Sequence, residues 1–215
     1  MPALKKARTA VATKSTKLAI VPKKRSRGPR IVSRGERARA AASEYGPLVG
    51  FLAVAAGAAF LGARFNPAPQ HRETKLWYDS LEKSPLNPPP VVFGPVWGVL
   101  YAMIGVAGWR VYRAPRSRAR TEALVWWAAQ MSLNAAWSPL FFGGRMPKAA
   151  MTDLVAMGVT VGGFTNAARK VDRSAAALML PYLGWVSFAG YLNAEVVRRN
   201  PGGAPRVMSG IPQGL

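Results

Sequence analysis

Cysteine is absent from the 215 residues, and there is a single histidine, His71. The first absence excludes disulfides, thiolate metal sites and thiol catalysis. The second excludes any metal site built from several imidazoles. Acids are scarce too: nine Asp and Glu stand against 30 Lys and Arg, a formal net charge of +21. No activated nucleophile, metal cluster or acid–base pair stands out. No residue is therefore assigned a catalytic or metal-binding role, and no obligatory cofactor is expected.

The positive charge is unevenly spread. Residues 1–45 hold 13 of the 30 basic residues and two acids, Glu36 and Glu44. Such a balance points toward nucleic acid as a partner. The rest of the chain argues against it, because it is organised around long uncharged stretches. Nineteen uncharged residues separate Glu44 from Arg64, 26 separate Lys83 from Arg110, and 22 separate Glu122 from Arg145. Fifteen lie between Asp153 and Arg169, and 21 between Arg173 and Glu195. A bilayer core takes about 20 apolar residues of helix. The sequence thus predicts an all-α integral membrane protein, a bundle of five transmembrane helices in residues 45–200. The partner is a lipid bilayer rather than nucleic acid.

The ends read differently. Residues 1–44 are basic, rich in Ala, Ser and Thr, and lack the apolar core of a secretory signal. They fit an organellar transit peptide or a disordered polybasic arm on an anionic membrane. Residues 201–215 read as a flexible C-terminal tail. Orientation by the positive-inside rule depends wholly on whether the N-terminal tail is retained. The organelle stays open between mitochondrion, plastid, and endoplasmic reticulum or Golgi membranes.

Aromatic and polar residues recur at helical spacing. Phe93, Trp97 and Tyr101 share one face of the second span. Gln130, Asn134, Trp137, Ser138 and Phe141 follow steps of three and four on the third, and Tyr182, Trp185, Ala189 and Asn193 do so on the fifth. Such faces suit a mostly apolar pocket with a few orienting polar groups, and stacking on Trp and Tyr favours a flat, conjugated ligand. Helix-on-helix packing with polar glue is the competing reading. Asp153 is expected near a membrane interface within reach of Arg145 or Lys148, in a structural ion pair ahead of a proton-relay role. The pairs Gly94/Gly98 and Gly158/Gly162 are expected to mark close contacts between helices inside the bundle. His71 reads as an ordinary loop histidine or one axial ligand to a haem iron.

Three blocks carry a resemblance. The first runs Trp77-Tyr-Asp-Ser-Leu-Glu-Lys-Ser-Pro-Leu-Asn-Pro-Pro and continues with Val92-Phe-Gly-Pro-Val-Trp-Gly-Val-Leu-Tyr101. The second is Leu133-Asn-Ala-Ala-Trp-Ser-Pro-Leu-Phe-Phe-Gly143. The third is Pro181-Tyr-Leu-Gly-Trp-Val-Ser-Phe-Ala-Gly-Tyr-Leu-Asn193. In this order they resemble the tryptophan-rich sensory protein and translocator protein family, also called the peripheral benzodiazepine receptor family, across about residues 46–200. The basic extension is similar to that of plant members. The resemblance implies a five-helix membrane bundle, often a homodimer, whose cavity is closed by the first loop and binds porphyrins such as protoporphyrin IX and haem. It implies Trp97 and Trp185 in the cavity wall, Trp77 and Tyr78 in the loop above, and Asn134, Ser138, Phe141 and Ala189 completing the wall. With Phe93, Tyr101, Trp137 and Tyr182 from the helix faces, these form the expected ligand-binding set.

One departure bears on ligand class. The cholesterol pattern of animal members needs a tyrosine shortly after the Leu-Asn pair, and here Leu192-Asn193 is followed by Ala194 and Glu195. Cholesterol is therefore a doubtful ligand. Two functions stay open: a receptor or transporter acting in tetrapyrrole scavenging, transport or stress response, and, behind it, an enzyme-like oxidative breakdown of porphyrin that uses the cavity tryptophans.

Overall fold

A computed structural model describes residues 33–202, and all regular structure among them is helical. The elements are α1 (Arg34–Ala63), α2 (Arg72–Ser80), α3 (Pro90–Arg113), α4 (Arg118–Ser138), α5 (Pro147–Ala168), α6 (Arg173–Leu178) and α7 (Leu180–Arg199). Five of them, α1, α3, α4, α5 and α7, have 20 residues or more. Three stretches are long and apolar enough to cross a membrane: Ala42–Ala63, Pro90–Arg113 and the near-continuous Arg173–Arg199. The last is broken at Met179, where α6 hands over to α7.

The first helix starts well inside the stretch expected to be a tail. Ser33 accepts from the Glu36 amide at 3.1 Å, and its own amide donates to the Glu36 carboxylate at 2.9 Å. This reciprocal capping box satisfies two of the helix's free amide ends and fixes its start. Residues 34–44 are thus helical, which corrects the disordered reading for that part. Residues 1–32 and 203–215, with the rest of both expected tails, lie outside the described residues.

α1 packs along α3 and α4, α4 runs against α5 over the longest interface, and α5 lies along α7. α3 meets α6 more than it meets α7. The bundle is therefore closed at the end where α6 lies and splayed between α3 and α7 at the other. The closed half is packed by Ile104, Ala107, Val111, Ala123, Phe164, Ala175 and their neighbours.

Close approach here depends on glycines other than the expected ones. A Cβ on Gly108 would stand 2.6 Å from both the Phe51 ring and Trp127 Nε1, and one on Gly105 2.7 Å from Leu52. Gly163 lies as closely under the Trp126 ring. Gly94, Gly98, Gly158 and Gly162 instead face open space, which overturns their reading as close helix contacts.

Candidate ligand-binding cavity

The splayed half encloses a cavity of about 690 Å³. That size suits a drug-sized organic ligand. α3 supplies Phe93, Trp97 and Tyr101, α4 supplies Asn134, Trp137 and Ser138, and α7 supplies Trp185 and Ala189. Gly94 and Gly98 line it too, so their missing side chains make room there.

The aromatic wall is a connected set. Trp97 stacks on Tyr101 with ring centres 5.3 Å apart and meets Trp185 edge to face at 6.4 Å. Phe93 closes on Trp185 at 5.9 Å. Opposite, Trp137 stacks on Phe141 at 5.0 Å. Phe141 and the adjacent Phe142 both reach the cavity because α4 ends in a π-helical turn, Pro139–Gly143. Pro139 brings no amide hydrogen to the helix ladder. The wider turn closes instead through the Gly144 amide, which donates to the Pro139 carbonyl at 2.7 Å.

α2 and the extended strap behind it form a lid. Trp77 is buried and packs its ring against Phe141 at 5.7 Å. Tyr78 lines the cavity and donates to Asn87 Oδ1 at 3.5 Å. Burial raises the Tyr78 hydroxyl above its ordinary pKa, with the Asn87 hydrogen bond opposing. Lys83 donates to the carbonyls of Tyr78 and Leu81 at 2.7 and 2.8 Å and sits 4.7 Å over the Tyr78 ring. Burial lowers the Lys83 pKa, against the pull of Asp79. Two contacts tie the strap to α7. Glu82 and Asn200 exchange hydrogen bonds at 3.0 and 3.1 Å, and Ser84 meets the Tyr191 hydroxyl at 3.3 Å.

Of the twelve expected site residues, ten line the cavity and two do not. Trp77 turns into an apolar cluster that joins Leu81 of the lid to Phe141, Phe142, Ala150 and Val196 of the bundle, because its neighbour Tyr78 takes the cavity-facing position on α2. Tyr182 is fully buried behind the wall, where it accepts from Asn134 Nδ2 at 2.9 Å. His71 also lies off the wall; its Nδ1 is 2.9 Å from the Asn66 carbonyl oxygen. That placement offers no support for an axial iron ligand.

Asp153 forms no ion pair among the described residues. It is buried on α5 with Oδ2 unpartnered, while Arg145 reaches Glu73 at 3.5 Å instead. Sequence reasoning missed Met157, Leu154, Asn66, Asn87 and Phe142 as lining residues. The sequence marks none of them by spacing, except that Phe142 adjoins Phe141.

The model of the TspO/MBR family matches residues 51–199, which span every wall of the cavity and its lid. The chain belongs to the TspO/MBR family. The bovine translocator protein is 36% identical over 156 residues, covering 72% of this chain and 90% of its own. The tryptophan-rich protein TspO of Chlorobaculum tepidum is 36% identical over 143 residues, covering 66% and 88%. The tryptophan-rich sensory protein of Cereibacter sphaeroides is 35% identical over 150 residues, covering 70% and 89%. This TspO/MBR chain is thus a membrane protein whose relatives are named translocator protein and tryptophan-rich sensory protein.

Proposed function

We propose that the protein is a membrane receptor or transporter that holds a porphyrin-type tetrapyrrole in the α3–α4–α7 cavity, beneath the α2 lid. In this reading α4 and α5 cross the bilayer beside the three more apolar stretches, shielding their polar residues within the bundle. The observation that carries the proposal is the aromatic wall. Trp97 and Trp185 meet edge to face on one side of a cavity large enough for a flat macrocycle, with Tyr101 and Phe93 extending that surface. Stacking on such rings contributes roughly 0.5–1.5 kcal/mol per pair beyond burial. The names translocator and sensory protein, carried by relatives, support a binding role over an enzymatic one.

The test is a protoporphyrin IX titration of the full chain in lipid nanodiscs, in the dark, with Trp97→Ala/Trp185→Ala alongside. Saturable binding at one site per chain, weakened about tenfold or more in the double variant, is the expected result; two lost stacking pairs correspond to that factor. Unsaturable or unchanged binding overturns the reading.

A second reading has one observation of its own. The oxidisable rings of Trp97, Tyr101, Tyr182 and Trp185 are mutually connected around the cavity. Illumination in air separates the two. Bleaching of bound porphyrin by the wild type, absent in Trp97→Phe/Trp185→Phe with binding retained, favours oxidative breakdown.

A further inference from the structure

The deep wall of the cavity is held by a hydrogen-bond chain whose direction is set at its far end. The Tyr182 hydroxyl lies 3.1 Å from Met157 Sδ. A thioether carries lone pairs and no proton, so Tyr182 is the donor. Its single proton is then spent, and its oxygen accepts from Asn134 Nδ2 at 2.9 Å. That fixes which way the Asn134 amide faces. Asn134 Oδ1 turns toward Tyr101 and accepts the Tyr101 hydroxyl proton at 2.7 Å. Tyr182 is wholly buried and Asn134 nearly so, which keeps the chain intact behind the wall. Tyr101 is its end member and lines the cavity. With its proton committed to Asn134, the Tyr101 oxygen offers the cavity only a lone pair.

We propose that Tyr101 is a specificity-determining acceptor: the deep wall takes an N–H or O–H donor from the ligand and disfavours a carbonyl or carboxylate at that point. The inference rests on the reading that a flat conjugated ligand occupies the cavity, and it narrows that ligand's chemistry. A donor-bearing edge faces Tyr101. Tyr182 is a positioning residue, since it acts on the ligand only through the direction it imposes on Asn134 and Tyr101; Met157 sets that direction and also lines the cavity.

Carbazole and dibenzofuran test this directly. Both are flat tricycles of nearly the same shape, one with a ring N–H and the other with a ring oxygen. Equilibrium binding of the tritiated compounds is measured on the full chain in nanodiscs, beside protoporphyrin IX. The wild type is expected to favour carbazole by about five- to tenfold, the effect of one neutral hydrogen bond. Tyr101→Phe is expected to bring the ratio to about one.

Met157→Leu keeps the packing but removes the sulfur acceptor. Tyr182 then donates to Asn134 Oδ1, the amide turns over and donates to Tyr101, and the Tyr101 proton turns into the cavity. The preference is expected to shift toward dibenzofuran, whereas a purely packing role for Met157 leaves the ratio unchanged. A wild-type ratio near one, or a ratio that survives Tyr101→Phe, overturns the inference. If protoporphyrin IX binds and neither tricycle does, the inference falls and the cavity reading stands. If none of the three binds, both fall.

Discussion

Gly108 shows how much one side chain's absence decides. Phe51 of α1 and Trp127 of α4 both reach the position its Cβ would occupy. Trp127 is fixed there by a buried hydrogen bond from Nε1 to the Ile104 carbonyl at 2.9 Å. Neither ring can move without breaking a packed contact, so Gly108→Ala is expected to destabilise the bundle by about 1–3 kcal/mol. Thermal unfolding in detergent reads this as a lower midpoint, and Gly98→Ala, which meets open space, serves as the tolerated comparison for stability. Spacing singled out the wrong glycines. A small-xxx-small pair marks two positions on one helix, but only the neighbouring helix decides whether they are filled. The cavity that opens between α3 and α7 is what leaves Gly94 and Gly98 uncovered.

At the scale of elements, the lid and the α3–α6 junction are each held by few polar contacts. The strap after α2 depends on Asn200, whose side chain satisfies both the amide and the carbonyl of Glu82. Asn200→Ala is expected to raise amide exchange across residues 81–87 by about fivefold to thirtyfold, from the loss of one to two hydrogen bonds. Exchange there that matches the wild type would show the strap to be held without Asn200, by Trp77, Leu81 and the Ser84–Tyr191 contact.

At the other end of the bundle, Asp172 pairs with Arg110 at 3.0 Å and caps α6 through the Ala175 amide at 2.9 Å. Burial pushes the Asp172 carboxyl up, but the Ala175 and Arg110 hydrogen bonds and the Arg110 charge together hold it below its ordinary value of 3.8. A depressed carboxylate stabilises the fold fully above that ordinary value and loses its contribution as pH falls through the folded-state value. Thermal midpoints are therefore expected to drop below about pH 4 in the wild type. The drop is expected to be smaller in Asp172→Asn, which is already weaker at neutral pH; an equal drop in both would assign the acid sensitivity elsewhere.

Much of this was legible in the helix faces, because a period of 3.6 lines up whatever a cavity needs from each helix. Phe93, Trp97 and Tyr101 share a wall for that reason, as do Asn134, Trp137 and Ser138. The failures have local causes. Adjacent residues on a short helix point about 100° apart, so Trp77 and Tyr78 cannot both face the cavity. Tyr182 follows the break at Met179 and turns behind Asn134 rather than beside Trp185. Asp153 carried no periodic signal and was assigned the nearest cations, yet Arg145 turns away at a left-handed backbone position, φ 52°, toward Glu73. The start of α1 was written in the sequence as Ser33 and Glu36, a capping box hidden by the basic composition around it.

For the whole molecule, the claim that matters is where the ligand lies. A second groove of about 320 Å³ runs between α5 and α7, lined by Val155, Gly158, Gly190 and Tyr191 and separated from the cavity by Leu154 and Val186, which line both. It is the rival place for a flat apolar molecule. The most direct measurement is a structure of the full chain in nanodiscs with protoporphyrin IX bound in the dark. Macrocycle density in the cavity against the face formed by Trp97 and Trp185, beneath Tyr78 and reaching toward Tyr101, is the expected result. An empty cavity with density in the α5–α7 groove would contradict the account and return the aromatic wall to a packing role.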